Sequence, residues 1–341
     1  MGNEREKILL TGASGFVGKA VRKELKRAEK YEIIGFVGGK RGLSQDLPSA
    51  GKVFQVDIAE YKSFPAAPDL KDTRVIVHCA GMAHQFGNVG REAFERVNVQ
   101  GTENACRMAR EIGAGHFILI SSVAVYGHKH GGAVIDESYD CQPEGFYAES
   151  KLAAERRAIE YCRKYKIALT VLRLATVIGE GDRGNTARLI TQIDRRRFFW
   201  IGDGSNLKTL IYHGDVAKSI RKIIESKPVS GVEIYNLAAK ALTMREIVET
   251  ICYHLRKKTL PIAIPDKWVR GALRRRPAVL SGGKLERIES TIGKWLASDV
   301  FSGAKFTERF DFPMPTPVTA ALGLQVAAYM RRKKNKSGQK T

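Results

Sequence analysis

The sequence predicts an α/β protein in which helices cover both faces of a parallel β-sheet. Short apolar runs with strand character alternate with longer segments of helical periodicity, and this alternation predicts a parallel sheet with helices on both faces. We assign strands to Ile8–Leu10, Ile33–Val37, Val53–Val56, Val75–His78, Phe117–Ile120 and Ala168–Leu172, and helices to Phe16–Ala28, Ala93–Ile112 and Phe146–Tyr165. With 341 residues, 43% of them hydrophobic, the chain can bury one large core or a main domain with a smaller lobe.

The alternation of strands and helices ends at about Thr176, where glycine-rich segments begin. The late part of the chain is rich in proline and has helical periodicity with little strand signal. The predicted units are a main domain of residues 1–175 with 209–240 returning to it, a smaller, mostly helical substrate lobe of residues 176–208 and 241–330, and a basic tail of residues 331–341. The tail is charged and lacks apolar residues, which predicts disorder.

Lysine and arginine outnumber aspartate and glutamate by 57 to 36, which gives a net charge of +21. Basic surfaces attract phosphates, but these cations are spread along the whole chain, so we predict no nucleic-acid partner. A substrate that carries a diphosphate would suit the same positive field.

The sequence shows neither a signal peptide nor a run of roughly 20 apolar residues, which predicts a cytoplasmic protein without a transmembrane segment. The five cysteines form no CxxC pair, and the seven histidines lack ligand spacing with cysteines or carboxylates. We therefore predict no disulfide framework and no metal site.

Three glycines follow the first strand in the segment Thr11–Gly18, where the chain turns into a helix. Gly12 and Gly15 would let the backbone turn and approach a pyrophosphate at the helix N-terminus, and Gly18 would let the helix pack closely on the strand. The strand before the loop and the helix after it provide the context of a dinucleotide-binding Rossmann fold. The main domain is therefore predicted to bind NAD(P).

The region after the second strand bears on which dinucleotide is bound. The expected acidic residue is missing there, and Val37 is followed by two glycines and then by Lys40 and Arg41. Either cation could pair with a 2′-phosphate, which favours NADP over NAD, although both could simply lie on a solvated loop. Asp57, after the third strand, is expected to accept a hydrogen bond from the adenine amino group.

A tyrosine and a lysine lie four residues apart in the helix Phe146–Tyr165, so Tyr147 and Lys151 share one helix face. A free phenol ionises near pH 10, and a neighbouring ammonium favours the phenolate. The pair could therefore act as an acid/base unit. The strand Phe117–Ile120 ends in hydroxyls at the edge where parallel sheets bind ligands, and we expect Ser122 to hydrogen-bond the reacting oxygen.

Taken together, these motifs resemble the extended short-chain dehydrogenase/reductase superfamily, and within it the nucleotide-sugar epimerases and reductases typified by UDP-galactose 4-epimerase. The separation of 25 residues between Ser122 and Tyr147 fits the epimerase pattern. The segments that carry the resemblance are Thr11–Gly18, Val56–Ile58, His78–Gly81, Val97–Thr102, Ser121–Ser122 followed by Tyr126–Gly127, and Tyr147 with Lys151.

The resemblance implies that Tyr147 is the catalytic acid/base, that Lys151 lowers its pKa and holds the nicotinamide ribose, and that Ser122 assists. The position of Lys208 is an arginine in the family, so its phosphate contact would lose the bidentate geometry. The full cofactor-binding set that we expect is Gly12, Ser14, Gly15, Phe16, Val17, Gly18, Lys40, Arg41, Asp57, Ile58, Ala80, Gly81, Asn98, Tyr147 and Lys151. The expected substrate-binding set is His84, Ser122, Tyr147, Asn185 and Lys208.

The resemblance implies hydride transfer at C4 of a nucleotide-diphosphate sugar, with a UDP-sugar as the expected substrate. Related dehydratases have an acidic pair after the active hydroxyl, whereas Ser122 is followed by Val123, Ala124 and Val125, which disfavours elimination. Epimerisation and 4-keto reduction both remain open.

Two rival functions share these motifs. A hydroxysteroid or lipophilic-ketone dehydrogenase would differ in its lobe, where Pro265–Arg276 would lie on a membrane surface. A non-enzymatic NAD(P)-binding regulator would have little reason to keep the Ser122, Tyr147 and Lys151 set. Members of the superfamily commonly dimerise through the tyrosine-bearing helix, and we expect a homodimer that packs through the surface of Ala153, Ala154 and Ala158.

Overall fold

The computed structural model describes residues 5–39, 51–83, 89–128, 132–226, 230–260, 262–265, 267, 293 and 296–338. The strands are β1 Glu6–Thr11, β2 Tyr31–Val37, β3 Val53–Gln55, β4 Thr73–His78, β5 His116–Ser122, β6 Val134–Ile135, β7 Ala168–Leu174, β8 Thr176–Ile178, β9 Trp200–Ile201, β10 Leu207–Lys208, β11 Leu210–Tyr212, β12 Val232–Leu237, β13 Leu242–Thr243, β14 Ala263–Ile264 and β15 Val300–Phe301. The α-helices are α1 Phe16–Arg27, α2 Arg91–Phe94, α3 Gly101–Glu111, α4 Phe146–Tyr165, α5 Asn185–Asp194, α6 His213–Glu225, α7 Met244–Leu255, α8 Ala304–Phe310 and α9 Val318–Gly338.

Seven strands form one parallel sheet in the order β12-β7-β5-β4-β1-β2-β3. The chain starts at the centre with β1, winds outward through β2 and β3, and then returns to β4 on the other side of β1. The winding direction therefore reverses between β1 and β4, and such a reversal opens a crevice at the carboxyl ends of the two strands. The predicted Rossmann-type fold is confirmed.

Both faces of the sheet are buried, which explains the continuous apolar character of its strands. On one face, Ile8 and Leu10 pack with residues of α1, α6 and α8. On the other face, Leu9 and Ile76 pack with residues of α3 and α4. Successive side chains of β1 point to opposite faces of the sheet, so one strand contributes to two separate hydrophobic cores.

The tyrosine-bearing helix α4 is predicted at its observed bounds, but its small residues do not form a partner surface. Ala154 and Ala158 have no exposed area and lie in the core. The predicted packing of a second copy against these two alanines is therefore wrong, because the helix uses them to approach its own sheet.

The helical lobe has its own core. Helices α5, α7 and α9 contribute Ile190, Ile251 and Leu322, which are at most 1% exposed. Its C-terminal end differs from the prediction of a disordered tail, since α9 continues through residue 338. The physical reason is an ion pair between Lys333 and the buried carboxylate of Asp194 at 2.6 Å, a long-range contact that composition does not reveal.

A charged pair lies inside the main domain, between α4 and the central strands. The guanidinium of Arg173 in β7 donates to both carboxylate oxygens of Glu155 in α4, with the shortest distance 2.7 Å, and the two side chains are 6% and 1% exposed. Ser121 donates to the same carboxylate, and Arg173 also donates to the Tyr126 hydroxyl at 2.9 Å. Every strong charge in this cluster therefore has a partner, as a buried ion pair requires.

We expect Glu155→Ala to destabilise the protein by about 3–5 kcal/mol, because it leaves the Arg173 guanidinium buried without a counter-charge. Replacing both residues by apolar ones, as in Glu155→Leu with Arg173→Met, should recover most of that loss. Urea denaturation of the two variants tests this. Equal losses in the single and the double variant would contradict it.

Candidate functional site

The glycine loop lies in the crevice between β1 and β4. Gly12 has a φ of +66°, which glycine adopts without strain, and a Cβ added there would lie 2.7 Å from the backbone nitrogen of Ala80. A Cβ on Gly18 would lie 2.1 Å from the carbonyl oxygen of Gly12. Only glycine fits these two positions, so the loop between β1 and α1 directly contacts the loop after β4.

The N-terminus of α1 has the character of an anion site. Gly15 is its N-cap, no side chain caps the helix, and its first turn carries no acidic residue. The partly exposed Ser14, Phe16 and Val17 surround the free amide groups. Amides with a helix dipole behind them bind phosphates, so a dinucleotide pyrophosphate fits the loop.

A buried chain of hydrogen bonds fixes the position of Ala80 and was not foreseen from the sequence. Thr11 Oγ1 lies 2.8 Å from His78 Nδ1 and accepts from the Ala80 amide at 3.1 Å. His78 Nε2 lies 3.2 Å from the Thr102 hydroxyl. Burial lowers the pKa of His78 to about 3, so the imidazole is neutral at physiological pH and serves as a structural bridge.

The catalytic residues predicted from the sequence meet at the carboxyl edge of β5. The Ser122 side chain is close enough to the Tyr147 hydroxyl to lower its pKa, and Lys151 Nζ donates to the carbonyl oxygen of Ile120 at 2.5 Å. A Cβ on Gly81 would lie 3.9 Å from Lys151 Nζ. The lysine therefore lies beside the loop after β4, on the same helix as Tyr147.

Burial shifts the pKa of both members of the pair. It raises the pKa of Tyr147, and the hydrogen bond with Ser122 acts in the opposite direction. Burial lowers the pKa of Lys151 to about 8, and the negative charge of Glu155, one helical turn further along α4, opposes this shift. The carboxylate of Glu155 thus helps to keep the Lys151 ammonium charged.

Asn98, which the resemblance suggested as a support of the active site, links two segments beside Tyr147. It lies in a π-helical segment, Glu95–Gln100, between α2 and α3, a geometry that recurs at functional sites. Its side chain accepts from the amide of Met82 at 2.6 Å and donates to the Met82 carbonyl at 3.1 Å and to Ser150 Oγ at 2.9 Å. Ser150 in turn donates to the Tyr147 carbonyl at 2.8 Å. Asn98 therefore connects the loop after β4 to the catalytic helix.

The residues expected at the adenine end lie beyond β3. Asp57 accepts from the Ala59 amide at 3.1 Å and from Arg96 Nη1 at 3.2 Å. Ile58 is buried against Gly101, and its carbonyl accepts from Asn104. Lys40 and Arg41 lie outside the described residues, so the preference for NADP stays a prediction.

Two of the expected substrate-binding residues, Asn185 and Lys208, lie in the lobe. Asn185 is exposed in the first turn of α5. Lys208, which was expected to bind a diphosphate, forms an ion pair with Asp299 at 2.5 Å. His84 and most of Pro265–Arg276 lie outside the described residues.

A histidine that sequence reasoning did not select lies beside the glycine loop. The rings of His213 and Phe16 have centroids 5.3 Å apart, and a Cβ on Gly179 would overlap His213. Both ring nitrogens are buried without a hydrogen-bond partner among the described residues. Burial lowers the pKa of His213, which favours the neutral imidazole.

We expect Lys151→Met to stabilise the cofactor-free protein by about 2 kcal/mol at pH 7, because the buried ammonium is costly there. The pKa of Lys151 is about 8 in the folded state against 10.5 ordinarily. The unfolded chain therefore binds more protons between pH 8 and 10.5, and wild-type stability rises relative to the variant across that window. Urea denaturation at pH 7 and at pH 10 measures the difference.

The control for this prediction is Lys164→Met, which removes an exposed cation from the same helix. It should change stability little at either pH. A Lys151→Met difference that stays constant between pH 7 and pH 10 would show that burial of the ammonium is not its cause.

No metal site is apparent: in the described ranges, histidine, cysteine and carboxylate side chains form no cluster of three or more that could hold an ion. Likewise, no described helix combines the length and the apolar character that crossing a bilayer requires.

Comparisons with known proteins agree with this geometry. An N-acetyl-alpha-D-glucosaminyl-diphospho-ditrans,octacis-undecaprenol 4-epimerase of Escherichia coli O157:H7 is 29% identical over 270 residues, which cover 76% of each chain. A UDP-glucose 4-epimerase of Vibrio cholerae is 27% identical over 267 residues, 76% of this chain and 78% of its own. A crystal structure of UDP-glucuronic acid 4-epimerase from Bacillus cereus in complex with NAD superposes with a TM-score of 0.75 at 20% identity, over 95% and 99% of the two chains.

The sequence model of the NAD dependent epimerase/dehydratase family matches residues 8–238, which include the sheet, the glycine loop and the Ser122, Tyr147 and Lys151 set. This chain therefore belongs to the NAD dependent epimerase/dehydratase family.

Proposed function

We propose that this protein is a C4 epimerase of a sugar that carries a diphosphate, with a UDP-sugar as its substrate. The observation that carries the proposal is the meeting of Ser122, Tyr147 and Lys151 at the carboxyl edge of β5, where Lys151 donates to the Ile120 carbonyl oxygen and the Ser122 side chain interacts with Tyr147. This arrangement brings two hydroxyl groups together where a sugar alcohol would meet them. Val123, Ala124 and Val125 follow Ser122, so no acidic pair stands there to drive an elimination.

The family's NAD would bind along the crevice, with its pyrophosphate on the amides of Phe16 and Val17 and its nicotinamide ribose beside Lys151 and Gly81. When bound, NAD supplies hydride transfer to and from the sugar carbon. All of the remaining chemistry is proton transfer and positioning by the chain itself.

Tyr147 would take the proton of the C4 hydroxyl and later return it, with Ser122 holding the sugar oxygen in place. A phenol with a raised pKa is almost entirely protonated near neutral pH, and only the phenolate can accept the proton, so a cation must stabilise the phenolate. Lys151 is the cation closest along the helix, and its ammonium is charged below pH 8. Turnover should therefore depend on the Lys151 proton as well as on the phenol.

Reduction of a 4-keto sugar uses the same residues and differs only in the net consumption of reduced cofactor. We favour epimerisation, supported by the epimerase names of both similar curated proteins, and we favour NAD, since an epimerase restores its oxidised cofactor in each cycle. The preference for NADP would apply to the reductase version.

A second substrate class, a sugar linked through a diphosphate to a polyprenol, is favoured by one of the relatives described above. The Escherichia coli relative, by its name, acts on such a lipid-linked sugar. Both substrate classes present the same sugar and diphosphate to Tyr147.

We expect incubation with UDP-hexoses to give the C4 epimer without a net change in absorbance at 340 nm. Parallel incubations with a polyprenyl-diphosphate-linked hexosamine, and with a UDP-4-keto-6-deoxyhexose plus NADPH, test the second substrate class and the reductase. Stoichiometric loss of NADPH identifies a reductase. No conversion of any of the three would refute the proposed function.

Tyr147→Phe should lower turnover by about 10²–10⁴-fold, because it removes the acid/base group, while NAD still binds. Tyr165→Phe, at the end of the same helix, is the matched control and should retain activity. Turnover and NAD binding are measured on both variants, and an active Tyr147→Phe variant would exclude this mechanism.

A further inference from the structure

One carboxylate organises the end of the lobe that lies at the C-terminus of α5. The side chain of Asp194 is 3% exposed and accepts from Lys257 Nζ at 2.7 Å, Lys333 Nζ at 2.6 Å and the Tyr329 hydroxyl at 2.8 Å. These partners come from the segment after α7 and from α9. Three distant parts of the chain therefore meet at this point, and two of them bring cations.

The segments that meet at Asp194 are strongly basic. Residues 185–201, 255–265 and 326–338 contain twelve lysines and arginines, and Asp194 is their only acidic residue. The exposed cations beside the junction are Arg195, Arg196, Arg197, Arg256, Lys258, Arg332 and Lys334. We call this surface the basic junction. The cations are spread along the sequence, but the fold brings part of the net charge of +21 together on this one surface.

Apolar side chains are exposed next to these cations. Phe199, two residues after Arg197, is 44% exposed, and Ile262 is 51% exposed. The amide of Trp200 donates to the Ile262 carbonyl at 2.9 Å, so the two apolar segments are adjacent. Surfaces that bind at a membrane interface typically combine cations with exposed aromatic and aliphatic side chains.

We propose that the basic junction docks this protein on the surface of an anionic phospholipid bilayer. The cations meet the lipid phosphates, and Phe199 and Ile262 enter the boundary with the acyl chains. An RNA or another polyanion would use the cations but would gain little from an exposed aliphatic side chain such as Ile262. The inference rests on the surface itself and holds for either substrate class proposed above.

The experiment is sedimentation of the full chain, without substrate, with vesicles of phosphatidylglycerol and phosphatidylcholine or of phosphatidylcholine alone. We expect binding to the anionic vesicles only, and weaker binding as salt is raised. R195Q/R196Q/R197Q should weaken this binding by about 100-fold, because each cation near an anionic surface contributes about five-fold. Phe199→Ser should weaken it with no change in charge.

The matched control is K62Q/K71Q/R74Q, which removes three exposed cations from the cofactor domain. It should keep full vesicle binding. Binding that is absent, that is equal on neutral vesicles, or that falls equally in both triple variants would overturn the proposal. Tight binding of a mixed RNA oligomer without vesicle binding would assign the surface to nucleic acid instead. The readout needs no turnover, so its failure is distinct from failure of the proposed function.

Discussion

The close approach of two backbone loops, at Gly12 and Ala80, is the constraint on which the site depends. It occurs where the winding of the sheet reverses, so β1 and β4 bring their carboxyl ends together and leave a crevice above them. A side chain at Gly12 would separate the loops, and with them the pyrophosphate site and the loop that carries Gly81. The catalytic helix is tied to that same loop through Asn98 and Ser150. The proposed cofactor binding and the proposed acid/base chemistry thus depend on one feature of the fold.

The second requirement is electrostatic. An ammonium buried beside a phenol is useful only if it stays charged, and burial alone acts against that. Glu155 supplies the compensating charge, but a lone buried carboxylate would be equally costly, so Arg173 is needed to balance it. The pair therefore lets Lys151 lie in a dry pocket without being neutralised at physiological pH. An apolar replacement of the pair could be as stable but would leave Lys151 without this support.

Much of this arrangement could be predicted from the sequence, and the limits have physical causes. Strand and helix periodicity, the glycine loop and the spacing of Ser122, Tyr147 and Lys151 are local patterns. They predicted the fold correctly and selected the residues that the structure brings together at the end of β5. The bridge through His78 and the bracing by Ser150 depend on contacts between distant segments, which no local pattern encodes. Arg173 did leave a signal, since a charge in the otherwise apolar strand β7 requires a partner. The helical end of α9 was not predicted, because the basic composition of the tail indicates disorder and does not reveal the ion pair of Lys333 with Asp194.

Buried charge is fully neutralised near the site, whereas much of the charge on the proposed docking surface is exposed. In the main domain, the buried cation Arg173 is matched by Glu155 and shielded from solvent. At the end of the lobe, Asp194 neutralises only the cations that hold the segments together and leaves their neighbours, such as Arg196, exposed. An unbalanced positive surface is destabilising by self-repulsion, and a single carboxylate does not remove that cost. Its presence on the substrate lobe is explained if a negative partner, an anionic bilayer, completes the charge balance.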